Sequence, residues 1–193
     1  MAIAIHSNLN SLLLKHGKKH SKTHPHVPQR SSNLTLIKAV QGRQLIESGI
    51  IQAITPNEAA TAIKSGDGGF KLLDVRPEWE WQKARVPGSI HVPLFIEDVD
   101  NSPLTLLKKW VHFGYIGLWA GQKFTTMNED FVKQVQGFVP DKDSMLLAAC
   151  GEGLSSMMAV SKLHEAGYRN LGWLVGGFNR AKNRDFPVEG DDK

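Results

Sequence analysis

Cysteine is almost missing from this chain: its 193 residues include one, Cys150. A single sulfur allows no intramolecular disulfide and no four-cysteine zinc site, which excludes disulfide scaffolds and zinc ribbons. Any sulfur chemistry must run through that atom. Long apolar runs are also missing. The richest stretch holds Leu106, Leu107, Trp110, Val111, Phe113, Tyr115, Ile116, Leu118 and Trp119, but Lys108, Lys109, Gly114 and Gly117 interrupt it. A spanning helix needs about 20 apolar residues, so no transmembrane segment is expected. Acidic residues are absent up to Glu47, whereas Lys15, Lys18, Lys19, Lys22, Arg30, Lys38 and Arg43 precede it. These seven cations account for the net charge of +4, and from Glu47 onward carboxylates outnumber Lys and Arg. With the positive charge confined to one end, the clustered cations that general nucleic-acid binding requires are lacking, and no nucleic-acid partner is expected.

What is present suits one α/β domain with an appendage. Hydrophobic residues make up 41% and charged residues 22%, enough apolar material to bury a core. Residues 1–45 are rich in Ser, Thr and Lys, hold five of the eight His, and show no apolar periodicity long enough for a core element. This pattern is expected of a disordered plastid transit peptide, and Ile37-Lys38-Ala39-Val40 resembles a stromal cleavage site. His16, His20 and His24 recur at helical spacing, but nothing apolar would hold such a helix, so no metal site is expected there.

From Gln52 onward, short apolar runs alternate with helical patterns, the rhythm of a parallel sheet with crossover helices. Strands are predicted at 52–55, 70–75, 89–94, 144–149 and 171–175. Helices are predicted at 58–65, 79–83, 128–138 and 154–166. Thr55-Pro56-Asn57-Glu58 carries the marks of a helix start, with a capping Thr followed by Pro. Residues 96–127 are read as an aromatic insertion that packs over the sheet or presents a contact surface to a partner or a membrane surface.

Cys150 directly follows the apolar strand Met145-Leu146-Leu147-Ala148-Ala149, and Gly151, Glu152, Gly153, Leu154, Ser155 and Ser156 lead from it into a helix. At such a crest, backbone N–H groups without carbonyl partners converge at the carboxyl edge of the sheet and favour an anion. A nucleophilic thiol exposed at this rim is the functional expectation; a small buried hydrophobe is the plain alternative. Gly151-x-Gly153-x-x-Ser156 falls short of a dinucleotide fingerprint, because it ends in Ser and follows the fourth strand. No cofactor is expected.

These pieces together resemble the rhodanese family over residues 52–190. The resemblance rests on Leu73-Asp74-Val75-Arg76 with Glu78, Glu80 and Trp81, then Val86-Pro87-Gly88-Ser89-Ile90-His91-Val92-Pro93, then the Cys150–Ser156 loop. Gly167-Tyr168, Leu174-Val175-Gly176-Gly177 and Phe186-Pro187-Val188 complete it. It implies a three-layer fold, a five-stranded parallel sheet flanked by helices, with Cys150 as the nucleophile. The implied chemistry takes sulfur from a sulfane donor, thiosulfate or a persulfide, and passes it from a cysteine persulfide to a thiol or cyanide. Residues 151–156 and Arg76 would line the substrate site. Asp74 would be structural, and the Asp74–Arg76 pair is read more as a brace for the loops than as catalytic machinery. His91 is read as packed rather than as a base.

One departure stands out. The family loop commonly places Arg where this chain has Ser155, and Glu152 adds negative charge, so thiosulfate binding is expected to be weak. A persulfide carrier with a protein or small-thiol donor fits better. The alternative is a binding module with reduced turnover that uses the insertion to contact a protein partner. The related phosphatase chemistry needs an Arg where Ser156 stands and is not expected.

Overall fold

The computed structural model describes residues 30–65, 69–99, 102–103, 106–107, 124–182 and 185–191. A five-stranded parallel sheet organises them, in the order β1-β7-β6-β2-β3. Its strands are β1 (Gln52–Ile54), β2 (Lys71–Asp74), β3 (Ile90–His91), β6 (Leu146–Ala149) and β7 (Leu171–Leu174). A separate antiparallel pair joins β4 (Phe95–Glu97) to β5 (Thr125–Met127). The helices are α1 (Arg30–Glu47), α2 (Pro56–Ser65), α3 (Glu78–Lys83), α4 (Phe131–Phe138) and α5 (Leu154–Glu165), and a 3-10 turn spans Phe178–Arg180. The parallel sheet, its flanking helices and the element boundaries agree with the sequence reading to within a few residues.

Side-chain alternation along the central strands sorts the core into two layers. Leu73 and Val75 of the β2 segment, with Leu146 and Ala148 of β6, face Phe131 and Val135 of α4 and Met158, Ala159 and Leu163 of α5. Leu72, Leu147 and Ala149 face the other way, onto Ala59 and Ala60 of α2, with Val86 and Phe186. β6 is buried along its whole length, which is why its sequence runs apolar without alternation. The start of α2 is a capping box: the Glu58 carboxylate accepts hydrogen bonds from the Thr55 backbone N–H at 2.8 Å and from the Thr55 hydroxyl at 2.7 Å. These two bonds hold the Glu58 carboxyl below its ordinary pKa.

The N-terminal expectation needs correction. Residues 30–47, read as part of a segment with no core element, form α1, which packs along α5. Its apolar stripe is weak because the contact relies on small residues. Gly42 is buried so closely against α5 that a Cβ there would lie 2.2 Å from the Met157 carbonyl oxygen. Ala39, Leu45 and Ile46 pack against the core, and Lys38 pairs with Glu165. Leu36, Ile37 and Val40 remain exposed, which blurs the helical periodicity. Residues 1–29 lie outside the described residues, as does most of the aromatic stretch read as an insertion, residues 108–123. Among the described residues, no helix is long and apolar enough to cross a membrane.

Two predictions follow from this packing. Gly42→Leu should lift α1 from α5 at a cost of about 1–3 kcal/mol; rapid amide exchange confined to residues 30–49 checks it, and unchanged protection there would refute the contact. Tyr168, 1% exposed, donates its hydroxyl to the Val139 carbonyl at 2.6 Å, and burial, with the nearby Asp141 charge, raises its pKa above 10.0. Stability from this neutral phenol is complete below pH 10 and is lost as pH rises through the raised value. Tyr168→Phe should therefore lower the melting temperature at pH 7 and flatten its decline above pH 10, as alkaline unfolding curves would show.

Candidate active site

β6 lies between β7 and β2, so the loops leaving all three strands meet at one carboxyl edge. Three segments converge there: the Cys150–Ser156 loop after β6, Arg76 after β2, and Gly176-Gly177 with the 3-10 turn after β7. The Phe178 N–H donates to the Cys150 carbonyl at 2.8 Å, and the Asn179 N–H donates to the Gly151 carbonyl at 2.9 Å. In a trans peptide the N–H points away from its carbonyl. Anchoring these two carbonyls therefore turns the Gly151 and Glu152 amides to the opposite side. Gly177 permits this close docking: its φ is 64°, and a Cβ would lie 2.2 Å from the Cys150 oxygen and 2.4 Å from the Gly151 oxygen.

The sulfur sits in a ring of donors. Gly153 N–H reaches Cys150 Sγ at 3.1 Å and Ser156 N–H reaches it at 3.3 Å. No side-chain bond caps α5, so the sulfur takes the place of a capping oxygen for the first-turn amide of Ser156. Ser156 Oγ lies 3.3 Å from the sulfur and 3.1 Å from the Gly153 carbonyl, to which it donates. That hydroxyl can accept a thiol proton or, by turning, donate to an anionic sulfur. Gly153 has a φ of 95°, the turn that brings its amide back to the sulfur, while the Trp173 indole fixes its carbonyl with a 2.8 Å bond. Gly151 has no comparable constraint, since a Cβ there would meet nothing nearer than 3.9 Å.

The expected exposure of the thiol is corrected: Cys150 is only 4% exposed, because the folded-back amides cover it on one side. Its other side borders a cleft of about 700 Å³. Gly151, Glu152, Leu154, Ser155 and Arg76 line the cleft as well, so the sequence-derived set is brought together. Gly153 and Ser156 lie behind the sulfur instead. The reading missed Trp79, Glu80 and Lys83 around α3, Phe95 and Thr125 of the β4–β5 pair, and Asn179 as wall residues. The helix predicted at 79–83 and the Glu78, Glu80 and Trp81 of the resemblance pointed at α3, but not at its place in the cleft wall.

Arg76 and Asp74 form the expected brace. Asp74 is fully buried and accepts from Arg76 Nη2 at 2.6 Å, Arg76 Nε at 3.0 Å and the Arg76 backbone N–H at 3.0 Å. Nη2 also donates to the Ala84 carbonyl at 2.7 Å, and the guanidinium lies 4.7 Å over the Phe178 ring. Arg76 still contributes to the cleft wall, but its charge is met by Asp74. His91 is packed as expected: it stacks on Trp81 at 4.7 Å and bonds the Arg76 carbonyl at 2.9 Å through Nε2. Trp81 is also covered by the Arg85 guanidinium at 4.6 Å, which fixes α3 against the sheet. No cluster of three or more His, Cys, Asp or Glu able to hold a metal occurs among the described residues.

A parallel α/β domain with a cysteine held by amides at the crest of its central strand defines the class. Residues 55–184 match the rhodanese-like domain, and the chain belongs to that family. It is 57% identical over 166 residues to rhodanese-like domain-containing protein 10 of Arabidopsis thaliana, covering 86% of this chain and 77% of the relative. Identity is 40% over 146 residues to the Arabidopsis thaliana protein named rhodanese-like domain-containing protein 11, chloroplastic, covering 76% and 49% of the two chains. The fold is similar to that of the thiosulfate sulfurtransferase from Pseudomonas aeruginosa, with a TM-score of 0.51 and 18% identity over 79% of this chain and 22% of that one.

The Gly177 contact yields a direct test. Gly177→Ala should destabilise by about 1–3 kcal/mol through overpacking against the loop backbone and should speed alkylation of Cys150 by a small maleimide. Unchanged melting and alkylation would mean that Gly177 does not hold the loop.

Proposed function

We propose that the protein is a sulfurtransferase or persulfide carrier in which Cys150 holds the transferred sulfur. The observation that carries this reading is the sulfur itself, met by the Gly153 and Ser156 amides on one side and by an open cleft on the other. Amide donors stabilise negative charge on the sulfur without supplying a proton, and the cleft leaves room for a second sulfur and its carrier. Cys150 would attack the outer sulfur of a donor and form a persulfide, and an acceptor thiol would then remove that sulfur. Membership of a family that includes sulfurtransferases supports the same chemistry.

Thiosulfate fits this cleft poorly. Ser155 offers a neutral hydroxyl where a guanidinium would bind a dianion, Arg76 is occupied by Asp74, and Glu152 adds a carboxylate to the lining. A persulfide donor suits the site better. We further propose a plastid location, supported by the acid-free basic segment before Glu47 and by relatives named chloroplastic. Because α1 is docked through Lys38, Ala39 and Gly42, processing should cut before Ile37 rather than within Ile37–Val40.

Intact mass of the chain after exposure to a persulfide donor should show one added sulfur, absent in Cys150→Ser; its absence from the unaltered chain would defeat the proposal. Ser155→Arg should raise thiosulfate turnover about 10- to 100-fold, the worth of one charge-assisted hydrogen bond, and no gain would count against the role given to Ser155. Sequencing the N-terminus of the protein isolated from plastids tests the processing site.

A further inference from the structure

The cleft that Cys150 faces has an uneven charge. Three described lining residues other than Cys150 can carry charge besides Arg76, whose guanidinium is neutralised by buried Asp74. Lys83 is the cation among them, and Glu80 and Glu152 are carboxylates. None of these three side chains has a hydrogen-bond or ion-pair partner among the described residues, so their charges are available to whatever enters. Glu80 is close to the reacting end: its Oε2 lies 3.9 Å from where a Gly151 side chain would begin, beside the loop that carries the sulfur. Its position is held from behind, because the adjacent Trp81 is clamped between the His91 ring at 4.7 Å and the Arg85 guanidinium at 4.6 Å. Glu152, exposed and two residues along the chain from Cys150, lines the same cleft.

We propose, resting on the sulfur-transfer reading above, that Glu80 and Glu152 select sulfur donors and acceptors of the aminothiol class, in which a protonated amine lies a few bonds from the sulfur. A ligand whose sulfur meets Cys150 places a group two carbons away near the cleft walls, where the two carboxylates attract an ammonium and repel a carboxylate or sulfonate. Lys83 offsets one of them and leaves the described lining with an excess of one negative charge. In the loading step Cys150 Sγ attacks the outer sulfur of R–S–SH. The new S–S bond forms as the bond to the inner sulfur breaks, and R–S⁻ leaves with that electron pair and takes up a proton. Unloading is the same exchange with a second thiol, so sulfur moves with no net oxidation or reduction.

The test loads the full chain with inorganic polysulfide and confirms one added sulfur by intact mass. The loaded protein is then mixed separately with cysteamine and 3-mercaptopropionate, and loss of the added mass is followed in time. Each rate is divided by the thiolate concentration of its acceptor, and the cysteamine to mercaptopropionate ratio is the readout. In the Glu80→Gln, Glu152→Gln double variant this ratio should fall about five- to tenfold, and high salt should reduce the ratio of the unaltered protein toward that of the variant. Glu152→Gln alone, an exposed loop change, should lower the ratio about two- to threefold and covers the case of a misfolded double variant. Equal ratios in the unaltered and variant proteins would overturn the selectivity while leaving sulfur transfer intact. A Cys150 that never takes up sulfur would overturn the transfer reading itself.

Discussion

Two backbone amides, those of Gly153 and Ser156, point at the sulfur of Cys150, and the architecture of the domain converges on keeping them there. Their orientation depends on a left-handed turn at Gly153, on the Trp173 indole bound to the Gly153 carbonyl, and on the Phe178 and Asn179 amides that hold the Cys150 and Gly151 carbonyls. Apart from the Gly153 turn itself, these supports come from β7 or the turn beyond it, and β7 is the hydrogen-bonded neighbour of β6. The order of strands in the sheet thus reaches the sulfur through a few short polar contacts, one from the Trp173 indole and two from main-chain amides.

The opposite wall is built by different means. α3 has no buried residue of its own and contributes little core. It is held by ring stacking and charge, with Trp81 between His91 and Arg85, and Arg76 tied to Asp74 and to the Ala84 carbonyl at the end of the helix. The site therefore pairs a loop fixed by main-chain hydrogen bonds with a helix fixed by polar and aromatic side chains. The first presents the sulfur and Glu152; the second presents Glu80 and Lys83.

Much of this was legible because it is local. The apolar run 145–149, the glycines after it and the Thr55–Glu58 box each encode their geometry within a few residues, and the crest at Cys150 followed from them. The Asp74–Arg76 brace was also readable, through the family resemblance rather than from the two residues alone. What escaped were features assembled across the chain. Phe95 and Thr125 reach the cleft wall through a strand pair whose partners are far apart in sequence. Lys83 was read only as the end of a helical turn. α1 was hidden for another reason: a helix that docks through Gly42 and Ala39, with Leu36, Ile37 and Val40 left outside, lacks along most of its length the bulky stripe that periodicity detects. The thiol's burial was misjudged because a crest in sequence does not reveal how far its amides fold back over the sulfur.

The seam between α1 and α5 bears on how the domain is to be handled as a recombinant protein. α1 shields Met157 and Trp173, and Ile51, only 1% exposed, follows it directly into the core. A version trimmed to the sheet and its crossovers would uncover this apolar strip next to the first turn of α5, where Leu154 already projects into water. Such a truncation invites self-association through the strip, and loosened indole packing would reach the Gly153 carbonyl through the Trp173 bond.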